Sequence, residues 1–280
     1  MPSVLIAGCG YVGIATAKRF LAQGWNVTGW TRSDEIADGD LTIQRCAVDL
    51  RDPEDVRKNF FPCDLVVHCA SSGGGGAAEY RRLYRDGAAN LVSSFPRARI
   101  LFTSSTSVYP QHDGGWVDED SPAEPASAKG KILREAETIV LGTGGIVLRL
   151  AGIYGPGRSF FRQSILNGTA SLSDRADRYV NQIHRDDIAS AILLVARRTT
   201  IAPPRIFNVV DDAPSPRGEI LTWLSTQMKK PLVDSAAAFE GRRADSDKRV
   251  SNAKLRALGW SPQYSSYKEG LLTVGITPSS

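Results

Sequence analysis

An α/β chain built on a doubly wound parallel sheet, with a smaller lobe after it, is predicted by three observations. The chain opens on an apolar run, Val4 to Ala7, that leads directly into Gly8-Cys9-Gly10-Tyr11-Val12-Gly13 and then a helical stretch to Leu21. Further apolar runs alternate with helical segments as far as Leu150, an order that makes parallel strands joined by crossover helices. Beyond Ala151 the alternation weakens into turn-rich sequence. The division this predicts is a first domain over 1–150 and a C-terminal substrate lobe over 151–280, interleaved with the end of the sheet.

The opening stretch carries the first functional expectation. A strand, a glycine turn and a helix in that order form the phosphate-binding corner of a Rossmann unit. Gly8 lets the chain turn, Gly10 lets the backbone approach a pyrophosphate, and Gly13 lets the helix pack closely on the strand. The helix N-terminus then offers unpaired N–H groups and the positive end of its dipole to the anion.

Bulk properties narrow the class. The chain has 280 residues, 42% apolar and 23% charged, ordinary for a globular protein with a substantial core. No apolar run approaches the ~18–20 residues that span a bilayer. The first strand begins at once, which leaves no room for a signal peptide, so a cytoplasmic protein with no membrane partner is expected. Cys9, Cys46, Cys63 and Cys69 form no CxxC pair and read as free thiols in a reducing compartment. The net charge of +4 is scattered along the chain. That suits an anionic cofactor or a small-molecule substrate and makes no case for nucleic acid. There is no metal-ligand spacing, no GxSxG elbow and no GK[ST] phosphate loop.

Each later element adds a residue at a strand end, where open α/β sheets bind ligands. Trp25 to Trp30 reads as the second strand and is followed by Thr31-Arg32-Ser33. No acid stands there to hold a ribose 2′-hydroxyl. Arg32, with Ser33 beside it, suits the 2′-phosphate of NADP; the alternative is a solvated loop arginine near Asp34 and Glu35, and NAD stays possible. Ile43 to Val48 is the third strand, ending in Asp49-Leu50, where the Asp49 carboxylate can accept from an adenine amino group. Asp52 and Pro53 start a helix to about Phe60 as N-cap and first helical residue. Leu65 to Ala70 is a central strand, and Cys69, Ala70 and Ser71 lead into Gly73-Gly74-Gly75-Gly76. Four glycines exclude regular structure and leave either a loop laid against a cofactor or a flexible one. After a helix over 77–93, Arg99 to Thr103 delivers Ser104-Ser105-Thr106-Ser107-Val108-Tyr109. A helix over 127–141 and a strand over 145–150 complete the main sheet. Later come a helix from about Asp186 or Asp187 to Arg197, with one of those acids as its cap, a strand over 206–210, and helices over 216–228 and 252–258.

Taken together these segments resemble the extended short-chain dehydrogenase/reductase family, the NAD-dependent epimerase/dehydratases. The resemblance is carried by the glycine loop, Val48-Asp49-Leu50, Val67-His68-Cys69-Ala70, Thr103 to Tyr109, Arg149 to Gly157, Ile183 to Ala189, Phe207-Asn208-Val209, and Arg249 to Trp260. It covers essentially the whole chain. It implies an NAD(P)-dependent oxidoreductase or epimerase acting on a small hydroxyl- or carbonyl-bearing, sugar-like substrate, and a protein that can pair as a homodimer.

Two departures place the chain nearer an atypical, YeeZ-like subgroup. The family's loop is GxxGxxG, whereas here Ala7 stands at its first glycine and Gly8 is added. The family's catalytic Tyr-x-x-x-Lys becomes Ser127-x-x-x-Lys131. By resemblance Ser105 is the catalytic serine that orients the substrate oxygen, and Lys131 holds the nicotinamide ribose. A serine hydroxyl is a far weaker acid than a phenol of pKa about 10, so Ser127 is a poor proton carrier. Tyr109 and Tyr154, each after a strand end, are the candidates for a relocated phenol, against a packing role. His184 is a third proton carrier, against a structural role, and Arg158 and Arg249 can bind an anionic substrate group. The competing class is a non-catalytic NADP-binding redox sensor or regulator, motivated by Ser127.

Overall fold

The computed structural model describes residues 1–32, 43–172, 175–198, 200–203, 205–233 and 246–273. Its seven-stranded sheet runs in the order β11-β7-β5-β4-β1-β2-β3. The strands are β1 (Ser3–Ala7), β2 (Asn26–Thr31), β3 (Gln44–Ala47), β4 (Leu65–His68), β5 (Arg99–Ser105), β7 (Ile146–Leu150) and β11 (Ile206–Val209), with β6 (Trp116–Val117) standing outside the sheet. The pairs β1/β2, β1/β4, β2/β3, β4/β5 and β5/β7 are all parallel. The expected doubly wound parallel sheet is therefore present.

The apolar runs are the middle of that sheet because helices cover both faces there. Val4 to Ala7, Val66, Val67, Leu101, Phe102 and Ile146 to Leu148 are fully buried. The outermost β3 instead exposes Gln44, Arg45 and Ala47, and a charged edge discourages further strand pairing. The order reverses between β1 and β4, so their carboxyl ends form the topological switch point where such sheets bind ligands. Helix α1 (Tyr11–Ala22) packs Val12, Ala15, Thr16, Ala17 and Phe20 inward. Helix α2 (Pro53–Lys58) starts as its sequence predicts, with the Asp52 carboxylate accepting from the Glu54 and Asp55 N–H groups. The helix expected over 77–93 is α3 (Ala77–Arg81) and α4 (Gly87–Ser94) joined by a π turn at Arg82–Asp86. Helix α5 (Ala128–Gly142) is the crossover that leads into β7.

Two compact units are present, and the chain crosses between them more than once. The first holds Met1–Val108, Ala123–Leu150 and Ile188–Phe207; the second holds Tyr109–Pro122, Ala151–Asp187 and Asn208–Ser280. Residues 109–122 lie with the second unit and 188–207 with the first. In the second unit, β8 (Gly152–Tyr154) pairs with β10 (Gln182–His184), β9 (Tyr179–Val180) with β12 (Ser215–Pro216), and β6 with β13 (Arg249–Val250). Its core gathers Tyr154, Phe161, Ile165, Leu221, Leu224 and Leu271. These come from β8, α6 (Phe160–Leu166), α8 (Arg217–Met228) and α10 (Tyr267–Thr273). Helix α7 (Arg185–Arg197) follows β10, and α9 (Ala253–Ala257) follows β13. Among the described residues no helix is long and apolar enough to cross a membrane.

Candidate dinucleotide-binding site

The glycine turn has the geometry its spacing predicts. Gly8 sits at φ +101, and a Cβ there would lie 2.2 Å from the Ala70 nitrogen. The residue must therefore be glycine both for its backbone angle and for the close approach of the segment after β4. A Cβ on Gly13 would lie 2.3 Å from the Gly8 carbonyl oxygen, so this glycine sets how tightly α1 rests on the turn. Gly10 is different: a Cβ there would meet nothing within 4 Å. Gly10 is also the N-cap of α1, which has no side-chain cap and no acid in its first turn. Open space, uncapped N–H groups and the positive end of a 12-residue helix coincide at the switch point. That combination fits a pyrophosphate.

Around this corner the other sequence-predicted residues take defined places. Cys9 and Cys69 are buried free thiols, and Cys69 Sγ donates to the Gly8 carbonyl at 3.3 Å. Burial pushes Cys9 up to about 11 and Cys69 higher still, so both remain protonated. Tyr11 and Val12 open α1. Arg32 is exposed one residue past β2, and Ser33 lies outside the described residues. Leu50 is buried, its carbonyl accepting from Asn90 Nδ2 at 2.9 Å. Ala70 packs under Gly8, and Ser71 follows, exposed.

Asp49 has a partner that sequence reasoning did not supply. Arg51 Nε lies 2.8 Å from Oδ1, Arg51 Nη2 lies 2.6 Å from Oδ2, and the same guanidinium reaches Glu79. The hydrogen bonds from Arg51 hold the Asp49 carboxyl below its ordinary range. The carboxylate is thus ionised, with much of its accepting capacity committed within the protein.

At the end of β5, Ser105 is partly exposed and its Oγ accepts from the Ser107 N–H at 3.2 Å, which leaves the hydroxyl proton available to a ligand. Its neighbour Ser104 turns inward and donates to Glu137 Oε1 at 2.6 Å. Glu137 is fully buried on α5 and meets Arg149 of β7 through two bonds, at 3.0 and 2.8 Å. This buried network ties the carboxyl end of β5 to α5. The sequence reading missed it; an acid and an arginine inside two apolar stripes were the available signal.

Ser127, where the family resemblance places tyrosine, is the N-cap of α5, its Oγ accepting from the Gly130 N–H at 3.1 Å. The hydroxyl performs a helix-starting task. Lys131 is exposed on α5 and lines a shallow surface groove with Pro125, Arg134, Glu135 and Thr138. Lys129, which the sequence reading passed over, is more buried; its Nζ donates to the Gly75 carbonyl at 2.9 Å and lies 5.2 Å from the Tyr80 ring centre.

The candidates for a relocated proton carrier lie in the second unit, and their environments are structural. Tyr109 is 2% exposed, with its hydroxyl donating to Asn208 Oδ1 at 2.9 Å. Tyr154 is 1% exposed and donates to the Ser266 carbonyl at 3.2 Å. Burial, and after it the carboxylates of Asp211 and Asp187, drive the Tyr154 phenol far above its ordinary value, opposite to what a catalytic phenol needs. His184 is buried and accepts the Asp186 N–H on Nδ1 at 3.2 Å, and burial lowers the pKa of its imidazole. This corrects the expected cap of α7: the imidazole receives an N–H of the first turn, while Asp187 accepts from the Gln263 and Tyr264 N–H groups. Arg249 is clamped between the Trp116 and Tyr179 rings, at 5.2 and 4.9 Å, with Nε on the Gly114 carbonyl at 2.8 Å. Arg158 closes a tight turn through reciprocal backbone bonds with Gly155, 2.9 Å each.

The sheet order and the glycine corner define a Rossmann protein of the doubly wound, dinucleotide-binding class. Residues 4–209 match the model of the NAD dependent epimerase/dehydratase family, and the chain belongs to that family. It is 32% identical over 214 residues to Protein YeeZ of Escherichia coli K12, covering 70% of this chain and 73% of that protein. A solved structure from Methylobacillus flagellatus, described as an NAD-dependent epimerase/dehydratase, shares 30% identity over 98% of this chain and 97% of that one, with a TM-score of 0.79. UDP-glucose 4-epimerase of Thermus thermophilus, solved with NAD, shares the fold with a TM-score of 0.80 at 21% identity, covering 97% and 96%. The resemblance read from the motifs is therefore correct, including its YeeZ-like character.

Proposed function

We propose that this chain binds NADP in preference to NAD and acts as an oxidoreductase or epimerase on a small hydroxyl- or carbonyl-bearing, sugar-like substrate. The observation that carries the reading is the Gly10 corner, where the uncapped N-terminus of α1 faces open space. Arg32 stands exposed one residue past β2, with no acid at that strand end to favour a free 2′-hydroxyl. A nicotinamide cofactor supplies hydride exchange. The chain's own part is to bind it at α1 and to orient a substrate oxygen through the Ser105 hydroxyl, whose proton is left available. Family membership supports this reaction class; substrate and cofactor preference rest on the residues named.

The test is a fluorescence titration with NADPH and NADH, followed by a turnover screen of sugars and simple carbonyls. Arg32→Ala is expected to weaken NADPH about tenfold, the loss of one charged contact, and NADH much less. Equal losses remove the argument from Arg32. Turnover that survives Ser105→Ala unchanged removes Ser105 from the chemistry.

A second reading, a dinucleotide-binding protein without turnover, is favoured by one set of observations: Ser127 caps a helix, and the Tyr109 and Tyr154 phenols are buried and hydrogen-bonded. Ser127→Tyr separates the two readings. Reductase activity that appears only in that variant identifies the native chain as a binder.

A further inference from the structure

Lys129 and Lys131 are two residues apart, which places them about 200° apart around α5. Lys129 stands three and four residues before Ile132 and Leu133, both buried, so it continues the inward-facing stripe of the helix. Helix α5 crosses from β5 back to the parallel β7, which puts its N-terminal turn at the carboxyl edge of the sheet. Lys129 therefore carries its charge to the edge where the dinucleotide corner lies, whereas Lys131 faces the surface groove.

What Lys129 reaches there is the segment after β4. That segment starts at Cys69 and Ala70, packed against Gly8, and continues through Gly73, Gly74 and Gly75 at φ +61, +154 and +81. Three successive residues in conformations open mainly to glycine lose much entropy on ordering. They form no helix or strand that would hold them in place. The Lys129 ammonium meets the Gly75 carbonyl and the Tyr80 ring. Both are uncharged, so the bond fixes the far end of the loop while its positive charge stays uncancelled by them.

We propose that Lys129 is a positioning residue of the dinucleotide site, latching the Gly73–Gly76 loop as one wall of that site. The inference rests on the dinucleotide reading above and adds to it the residue that orders the loop. Lys129 touches the loop and acts on the ligand through it.

The experiment compares Lys129→Met, Lys129→Arg and Lys131→Met in the full chain. Amide hydrogen exchange of the 69–84 region is measured without ligand, and NADPH affinity is measured by fluorescence. Losing a hydrogen bond to a charged group is expected to speed loop exchange about tenfold in Lys129→Met and to weaken NADPH by a similar factor. Lys129→Arg restores both to within about threefold, because arginine keeps the charge and the donor. Lys131→Met leaves loop exchange within about twofold. The proposal is overturned if Lys129→Met leaves exchange unchanged, if it speeds exchange without weakening NADPH, or if Lys131→Met loosens the loop equally. Failure of the wild-type chain to bind either dinucleotide overturns both the functional reading and the positioning role, and loop exchange then shows only whether the latch exists.

Discussion

Gly10→Ala separates binding from folding. Gly10 has φ −97, outside the left-handed region, and its Cβ direction is empty to 4 Å. A methyl group there should change stability by no more than about 0.5 kcal/mol, a shift of about 2 °C or less in Tm. For a bound dinucleotide the same direction is where the pyrophosphate approaches the α1 N–H groups. A methyl in the way forces the phosphate off by about 1 Å or more and breaks at least one hydrogen bond to a charged group, worth about 1.5–3 kcal/mol. That is roughly a ten- to hundredfold rise in Kd for NADPH. Fluorescence titration and thermal melting on one preparation give both numbers. A Kd within about threefold of wild type would refute the assignment of this space to the phosphates. Gly8→Ala should show the opposite pattern. Its φ of +101 and the 2.2 Å overlap with Ala70 should cost about 3 kcal/mol or more, visible as a large drop in Tm before any ligand is added.

Other expectations concern stability. Glu137→Gln removes the carboxylate charge that meets the buried Arg149 guanidinium in two hydrogen bonds and should cost about 3–5 kcal/mol in urea unfolding; a loss under about 1 kcal/mol would show that this ion pair contributes little to stability. Ser127→Ala removes the α5 cap and should cost about 1 kcal/mol, and an unchanged Tm would deny the cap any energetic role. His68 is fully buried and pushed down to about 4, chiefly by burial. Its unfolded form therefore binds a proton from about pH 6.5 downward that the folded form refuses until near pH 4. Stability is lost as the pH falls through that window, about 2 kcal/mol of it by pH 5. His68→Phe should flatten the wild-type slope of unfolding free energy between pH 7 and 5, and parallel slopes would count against His68 as a source.

Local signals in the sequence were enough for the sheet and its glycine corner. Val4 to Ala7 is too apolar for anything but a covered central strand, and GxGxxG after it leaves little else for the turn to be. The π turn at Arg82–Asp86 was not legible, because no residue type in 77–93 marks a change of helix type. The family resemblance names Lys131, four residues after the missing tyrosine; helical spacing puts Lys129 on the inward stripe of α5 with Ile132 and Leu133. Helical spacing from Ile132 and Leu133 contained that signal, since the inward stripe is written in the sequence even where the motif is not.

Proton carriers were the least legible part. Tyr109, Tyr154 and His184 stand after or at strand ends, where a sequence places catalytic groups. Whether a phenol or imidazole is free, however, depends on burial and on partners far along the chain, such as Asn208 for Tyr109 and Ser266 for Tyr154.

The sequence by itself determined the architecture and the family, because strand periodicity, glycine geometry and helix starts are local properties. Only the tertiary structure decided which hydroxyls are available and which acids are already paired. Hydrogen bonds and desolvation are set by residues distant in the chain and adjacent in space.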